Sequence, residues 1–189
     1  MAMLMRGARI GLDAGSPVEI SVKVAGTQGE AWSAAVLLLD ASDHALAQDE
    51  FVSERRPASR TGIATWSRVE TSDVFRFDLP KLDTAARFLL AVYAPETVRF
   101  EHGAAQVGTG EMVVTQAGRE THRLELKASD FGSDAAVALV ELYHRKDAWR
   151  LAVNGGGFVG GIRVLLSHYA VPEAARSALT GSGPAGPNI

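Results

Sequence analysis

The chain has 189 residues, 47% of them hydrophobic and 22% charged, a make-up that supports one sizeable globular core and does not call for two. Its formal net charge of −3 provides no overall positive field to hold a polyanion, so nucleic-acid binding is not expected. Cysteine is absent, which excludes disulfides, thiolate metal sites and cysteine nucleophiles.

Residues 1–5 are largely apolar, but Arg6 and Arg9 interrupt the run and leave no room for the apolar stretch of a signal peptide. A first strand is predicted at residues 9–12. Val18, Ile20, Val22 and Val24 then alternate with Glu19, Ser21 and Lys23, the pattern of a strand with one wet face. Residues 34–39 and 88–93 are apolar on both faces, which predicts central strands covered on both sides. Another strand is predicted over residues 46–53, whereas residues 55–72 lack periodicity and are expected to form a long loop or an irregular edge. Phe75, Phe77 and Leu79 alternate with Arg76 and Asp78, and Leu124 and Leu126 with Arg123, Glu125 and Lys127. Further strands are predicted at 111–116, 136–144 and 149–153, the last two as a hairpin across residues 145–148. The longest apolar runs, 34–39 and 88–94, are too short to cross a bilayer.

Helical periodicity is confined to one segment, where Val159, Ile162, Leu165, Leu166 and Tyr169 recur every three or four residues until Pro172. Residues 173–179 read as a further short helical stretch and 180–189 as a loose tail. The expected architecture is mainly β: a two-layer antiparallel β-sandwich with one C-terminal helix packed on it. It forms a single domain over residues 1–171, followed by a Pro/Gly-rich tail at 172–189. A soluble, cytoplasmic protein is expected, with no insertion into a membrane.

Gly155, Gly157 and Gly160 spell a G-x-G-x-x-G between a predicted strand and a predicted helix, the pattern of a dinucleotide cradle. That cradle needs a second parallel strand carrying an acid about 20 residues on. After Gly161 the chain supplies only a helix and a Pro/Gly-rich stretch, with Glu173 as the remaining acid, and the strand before the glycines belongs to a hairpin. The block is therefore expected to be a structural turn, residues 154–161, that sets the helix close against the sheet.

The same residues resemble the closing block of the TerD-domain family, the bacterial tellurium-resistance and stress-response proteins. The likeness rests on Glu141-Leu142-Tyr143, Trp149-Arg150, Gly155, Gly157-Phe158 and Gly160-Gly161. Arg6-Gly7-Ala8-Arg9-Ile10-Gly11-Leu12 resembles the family's opening strand, with arginine in place of its lysine and asparagine. Residues 33–39 followed by Asp49-Glu50-Phe51-Val52, then Arg60-Thr61-Gly62, then Asp78-Leu79-Pro80-Lys81-Leu82, are similar to further family positions in the same order. The resemblance spans residues 4–169 and implies a β-sandwich.

It also implies calcium, which typical members bind through two acidic loops. Calcium needs several hard oxygen ligands converging on one point. Here the first loop is compressed to residues 26–34, with Ala31 and Ser33 where the paired aspartates would stand, and the second reads Ile63-Ala64-Thr65-Trp66-Ser67-Arg68 after Arg60-Thr61-Gly62. Glu30, Asp49, Glu50, Glu70 and Asp73 are the carboxylates left to build a partial site. His44, His102, His122, His144 and His168 show no metal-binding spacing, and no Gly-x-Ser-x-Gly elbow occurs. Arg55, Arg56, Arg60 and Arg68 form one basic cluster, expected to be a solvated loop, in which Trp66 is expected to pack inward or mark a contact surface.

No catalytic, cofactor-binding or metal-binding residue is assigned. The expected function is that of a non-enzymatic stress-response or tellurium-resistance module that binds protein partners and has an eroded calcium site. The second reading is a calcium-binding stress-response protein with a working site. The third is an enzyme built from the scattered histidines, for which no motif speaks.

Overall fold

In the computed structural model of the chain, which describes residues 1–26, 29, 31–46, 51–94, 107–173 and 176–177, two six-stranded sheets face each other. The strands are β1 (Ala2–Met3), β2 (Arg9–Leu12), β3 (Val18–Gly26), β4 (Ser33–Leu39), β5 (Phe51–Ser53), β6 (Ala64–Val69), β7 (Ser72–Phe77), β8 (Arg87–Tyr93), β9 (Val107–Gln116), β10 (Arg119–Lys127), β11 (Ala136–Arg145) and β12 (Ala148–Phe158). The first sheet runs β1-β10-β9-β3-β7-β6 and the second β2-β12-β11-β8-β4-β5. Every pairing is antiparallel except the two-residue β1–β10 contact. This is the expected sandwich.

Period-two alternation places the core between the sheets. Val18, Ile20, Val22 and Val24 are buried while Glu19, Ser21 and Lys23 face outward. They pack in one cluster with Phe75, Phe77 and Met112 of their own sheet and Phe88, Leu142 and Leu151 of the other. The rings of Phe77 and Phe88 meet across the layers edge to face, 5.2 Å between centroids. Trp32 and Trp149 both lie in this core, as expected from their apolar neighbours.

β4 and β8 are buried on both faces because a second layer covers the outside of their sheet. Helix α2 (Gly161–His168) sets Ile162, Leu165 and Leu166 onto Leu37, Leu39, Leu89, Ala91, Ala136 and Ala138. Val159 was counted on this apolar stripe, but it sits in the turn before the helix and is 62% exposed. Two short elements carry no pattern long enough to read: β1, and the single-turn helix α1 (Ala128–Phe131). The long-loop reading of residues 55–72 holds only in part, because β6 occupies residues 64–69 as an edge strand. Most of the expected helical stretch at 173–179 and the tail from 180 fall outside the described residues.

The glycine block differs most from expectation. Its first half is not turn but strand: β12 continues through Phe158, with Ala138, Val137 and Ala136 paired to Gly156, Gly157 and Phe158. The ladder skips from Val140–Val153 to Ala138–Gly156, so Asn154 and Gly155 together oppose Leu139 alone, a β-bulge. Gly155 has φ +72°, the left-handed backbone that such a bulge favours in glycine. At Gly157 a Cβ would meet the Asp134 carboxylate, so a larger residue there would require that side chain to turn away. The glycines let β12 bulge and pass close to neighbouring side chains. Only Val159 and Gly160 form the turn into α2, and no strand follows α2 among the described residues.

Candidate functional site

The carboxylates that could form a metal site lead to the β5/β6 edge of the sandwich. The β6–β7 hairpin turns at Glu70 and Thr71, which pairs Arg68 with Asp73 and Trp66 with Phe75. All four side chains therefore point toward the facing sheet. Asp73 is buried at 5% exposure, and one of its oxygens, Oδ1, accepts from the Trp66 indole Nε1–H at 2.9 Å and lies 2.9 Å from the Arg68 guanidinium. Arg68 also reaches Glu54, just past β5, at 3.2 Å and lies over the Trp66 ring. The guanidinium thus ties the edge strands of the two sheets together.

Burial pushes the Asp73 carboxyl above the usual carboxylate range; the Trp66 hydrogen bond and the Arg68 charge oppose that, Glu54 adds to it, and the Ala34 N–H opposes it. Desolvation wins over pairing.

This surrounding can be tested against calcium. The ion takes six to eight oxygens, usually including several carboxylates. Among the described residues no group of three or more Asp, Glu or His side chains comes together. Asp73 is already engaged by a cation and an N–H donor. Trp32, two residues before Ala34, has a buried Nε1–H with no acceptor, and that group can only donate. The described part of this edge supplies two carboxylates, Asp73 and Glu54, both paired with Arg68, which is fewer free oxygens than a calcium ion takes. Of the other carboxylates singled out, Glu70 lies exposed at the hairpin turn, while Glu30, Asp49 and Glu50 fall outside the described residues.

The described histidines are not brought together. His44 lies in the β4–β5 connection with its backbone N–H bonded to Asp40; His122 contacts Thr121; His144 meets Trp149 edge to face; His168 meets Tyr169 edge to face; and His102 lies outside the described residues. Arg55, Arg56 and Arg60 line the connection from β5 to β6, but Arg68 belongs to β6 and is an ion-pair partner rather than a solvated loop residue. Trp66 packs inward, one of the two outcomes expected for it.

At the opposite edge an apolar cleft of about 340 Å³ opens between β10 and β12, walled by Leu4, Leu124, Leu126, Phe131, Leu139 and Val153. Arg6 spans its mouth and donates to the carbonyls of Asn154, Asp130 and Gly155. A Cβ on Gly155 would come within 2.8 Å of the Arg6 Nε, so this glycine also makes room for the arginine. Sequence reasoning missed both Arg6 and the Arg68–Asp73 pair. For the latter a signal existed, since a two-residue turn at 70–71 sets position 68 opposite 73.

No helix among the described residues is long and apolar enough to cross a membrane. A protein-family model for the TerD domain matches residues 1–169. No curated protein matches the chain.

Proposed function

The chain belongs to the TerD-domain family, and from that premise we propose that it is a non-enzymatic module of a tellurium-resistance-type stress response, working through protein partners with its calcium site lost. One observation carries the reading. Asp73, the buried carboxylate at the edge where the family's acidic loops would converge, is held by Arg68 and Trp66 instead of standing among other carboxylates. A guanidinium supplies in the folded chain the positive charge that a metal ion would supply. Cation and arginine compete for the same oxygen, and the arginine is covalently present at all times. The scatter of the described histidines over separate elements supports the non-enzymatic part.

Calorimetric and thermal titration with calcium tests this. A site of micromolar affinity would stabilise the fold by about 2.7 kcal/mol at a hundredfold excess over Kd, raising Tm by roughly 5–10 °C in a chain of this size. The expected result is no saturable heat and a melting temperature unchanged at millimolar calcium. A saturable heat accompanied by a Tm rise would overturn the proposal in favour of a working calcium-binding protein.

A further inference from the structure

The outer face of the second sheet is divided. Where α2 crosses it the face is apolar; beyond the helix it carries Arg9 on β2, Arg87 on β8, Tyr143 and Arg145 on β11, and Arg150 on β12, grouped around Glu141. The register places them on one side. Tyr143 pairs with Arg87 and Arg150, Glu141 with Ala152, and Ala152 with Arg9, while the intervening Leu142, Trp149 and Leu151 are buried in the core. A groove of about 350 Å³ runs over this face, bordered by Arg9, Arg87, Tyr143, Arg145 and Asn154.

Arg87 is neutralised by Glu141 and by Asp43, the latter at 2.6 Å. Arg9, Arg145 and Arg150 have no carboxylate within ion-pair distance among the described residues. Arg150 is the most exacting of them, because its Nε is buried without an acceptor. A chain of net charge −3 thus gathers four guanidinium groups against two carboxylates on one face of one sheet, three of the four without an ion-pair partner among the described residues.

We propose that this arginine face docks an acidic, Asp- and Glu-rich segment of a partner protein. The proposal rests on the reading of the chain as a protein-binding module and names the surface and the partner chemistry. Charge complementarity is the first argument: guanidinium groups pair carboxylates in fixed, often bidentate geometry. Composition is the second. Arginine and tyrosine are the residue types that anchor protein interfaces, and here they surround a groove free of lysine. Size is the third. From Arg9 to Arg87 is three strand spacings, about 14 Å, and from the Glu141 row to Arg145 is four residues, about 13 Å. That area suits four or five residues of extended peptide. A nucleic acid is disfavoured, since three cations can neutralise only about three phosphates and release correspondingly few counterions.

The test is fluorescence polarisation of the full chain with a labelled oligoglutamate peptide, in low and in physiological salt, beside a labelled single-stranded oligonucleotide. Binding of the peptide is expected, weakening as salt rises. It should fall roughly tenfold or more in Arg9→Glu/Arg145→Glu/Arg150→Ala, and change less than about twofold in Lys23→Glu/Arg76→Glu, which alters the other sheet. Arg145→Glu alone, at an exposed position, provides a loss of binding that a folding defect cannot explain. The proposal is overturned if the peptide does not bind, if the triple variant binds as well as the wild type, if the oligonucleotide binds more tightly than the peptide, or if the chain binds only a second copy of itself. Failure of the broader reading would look different: the wild type would retain no protein from an extract of its own cells.

Discussion

The outer faces of the two sheets solve the same problem in opposite ways. On the first sheet, outward charges pair across and along strands: Glu19 meets Arg76 at 2.6 Å and Arg123 meets Glu111 at 2.9 Å on neighbouring strands, while within β10 Arg123 meets Glu120 at 3.3 Å and Lys127 meets Glu125 at 3.5 Å. Most of the charges on this surface are paired within it, Lys23 and Arg119 being exceptions among the described residues. The second sheet gives half its outer face to a helix and leaves uncompensated arginines on the other half. A self-paired surface is a finished one, whereas a sheet face with cations of one sign is complete only when something acidic lies on it. Partners are therefore to be sought on the second sheet, and substitutions on either face test the contrast.

The largest effect belongs to the helix cover. Leu165 is fully buried between α2 and the second sheet. Leu165→Ala is expected to cost about 2–5 kcal/mol through lost burial and the cavity left behind, read from urea denaturation. A cost below about 1 kcal/mol would mean that the helix does not seal this face, and the division of the sheet would lose its basis.

Next comes the one neutralised arginine on that face. Glu141 is 16% exposed at its side chain and takes the Arg87 guanidinium. Glu141→Gln keeps an acceptor but removes the charge, leaving Arg87 with Asp43 alone; a loss of about 1–3 kcal/mol is expected. The same substitution should tighten acidic-peptide binding, because one of the two negative charges beside the arginines is removed. Loss of stability with weaker peptide binding would contradict the electrostatic account of the face.

How much of this was legible in the sequence follows from where each constraint acts. Val18 to Val24 could be read because burial against the facing sheet imposes its period on every second residue. α2 could be read because its cover role needs Ile162, Leu165 and Leu166 on one side. β6 could not, because its inward positions are Ala64, Trp66 and Arg68, a small, an aromatic and a charged residue, which show no apolar alternation. The glycines of 155–157 suggested a turn, since composition alone cannot distinguish a turn from a bulged strand hemmed in by Arg6 and Asp134. The arginine face was hidden for a related reason. Arg9, Arg87 and the hairpin that carries Arg145 and Arg150 lie far apart in the chain, and only the register of four strands gathers them.

A third term compares an ion pair inside the first sheet with those outside it. Arg68 and Asp73 are cross-strand partners like Arg76 and Glu19, but Asp73 faces inward and its carboxyl is raised above the usual range by burial. A carboxyl with a raised folded-state pKa binds protons more tightly in the folded chain than in the unfolded one. Its contribution to stability is therefore fully present below the unfolded pKa and is lost as pH rises through the folded value. Asp73→Asn removes this dependence. Its Tm relative to wild type is expected to rise from acid toward neutral pH; a relative Tm that falls over that window would show that the Arg68 pairing outweighs burial.

The smallest effect is the outward pair itself. Arg76 and Glu19 are 54% and 39% exposed at their side chains, so water screens the attraction that their 2.6 Å separation suggests, and holding both chains in place costs rotamer freedom. A double-mutant cycle with Arg76→Ala and Glu19→Ala should return a coupling of about 0.2–1 kcal/mol that shrinks in high salt. The value of the measurement lies in its contrast with Glu141→Gln. If the outward pair proved as strong as the Arg87–Glu141 pair, the first sheet would be held together by its surface charges. Its even balance of sign would then be a stability device rather than the signature of a face with no partner to meet.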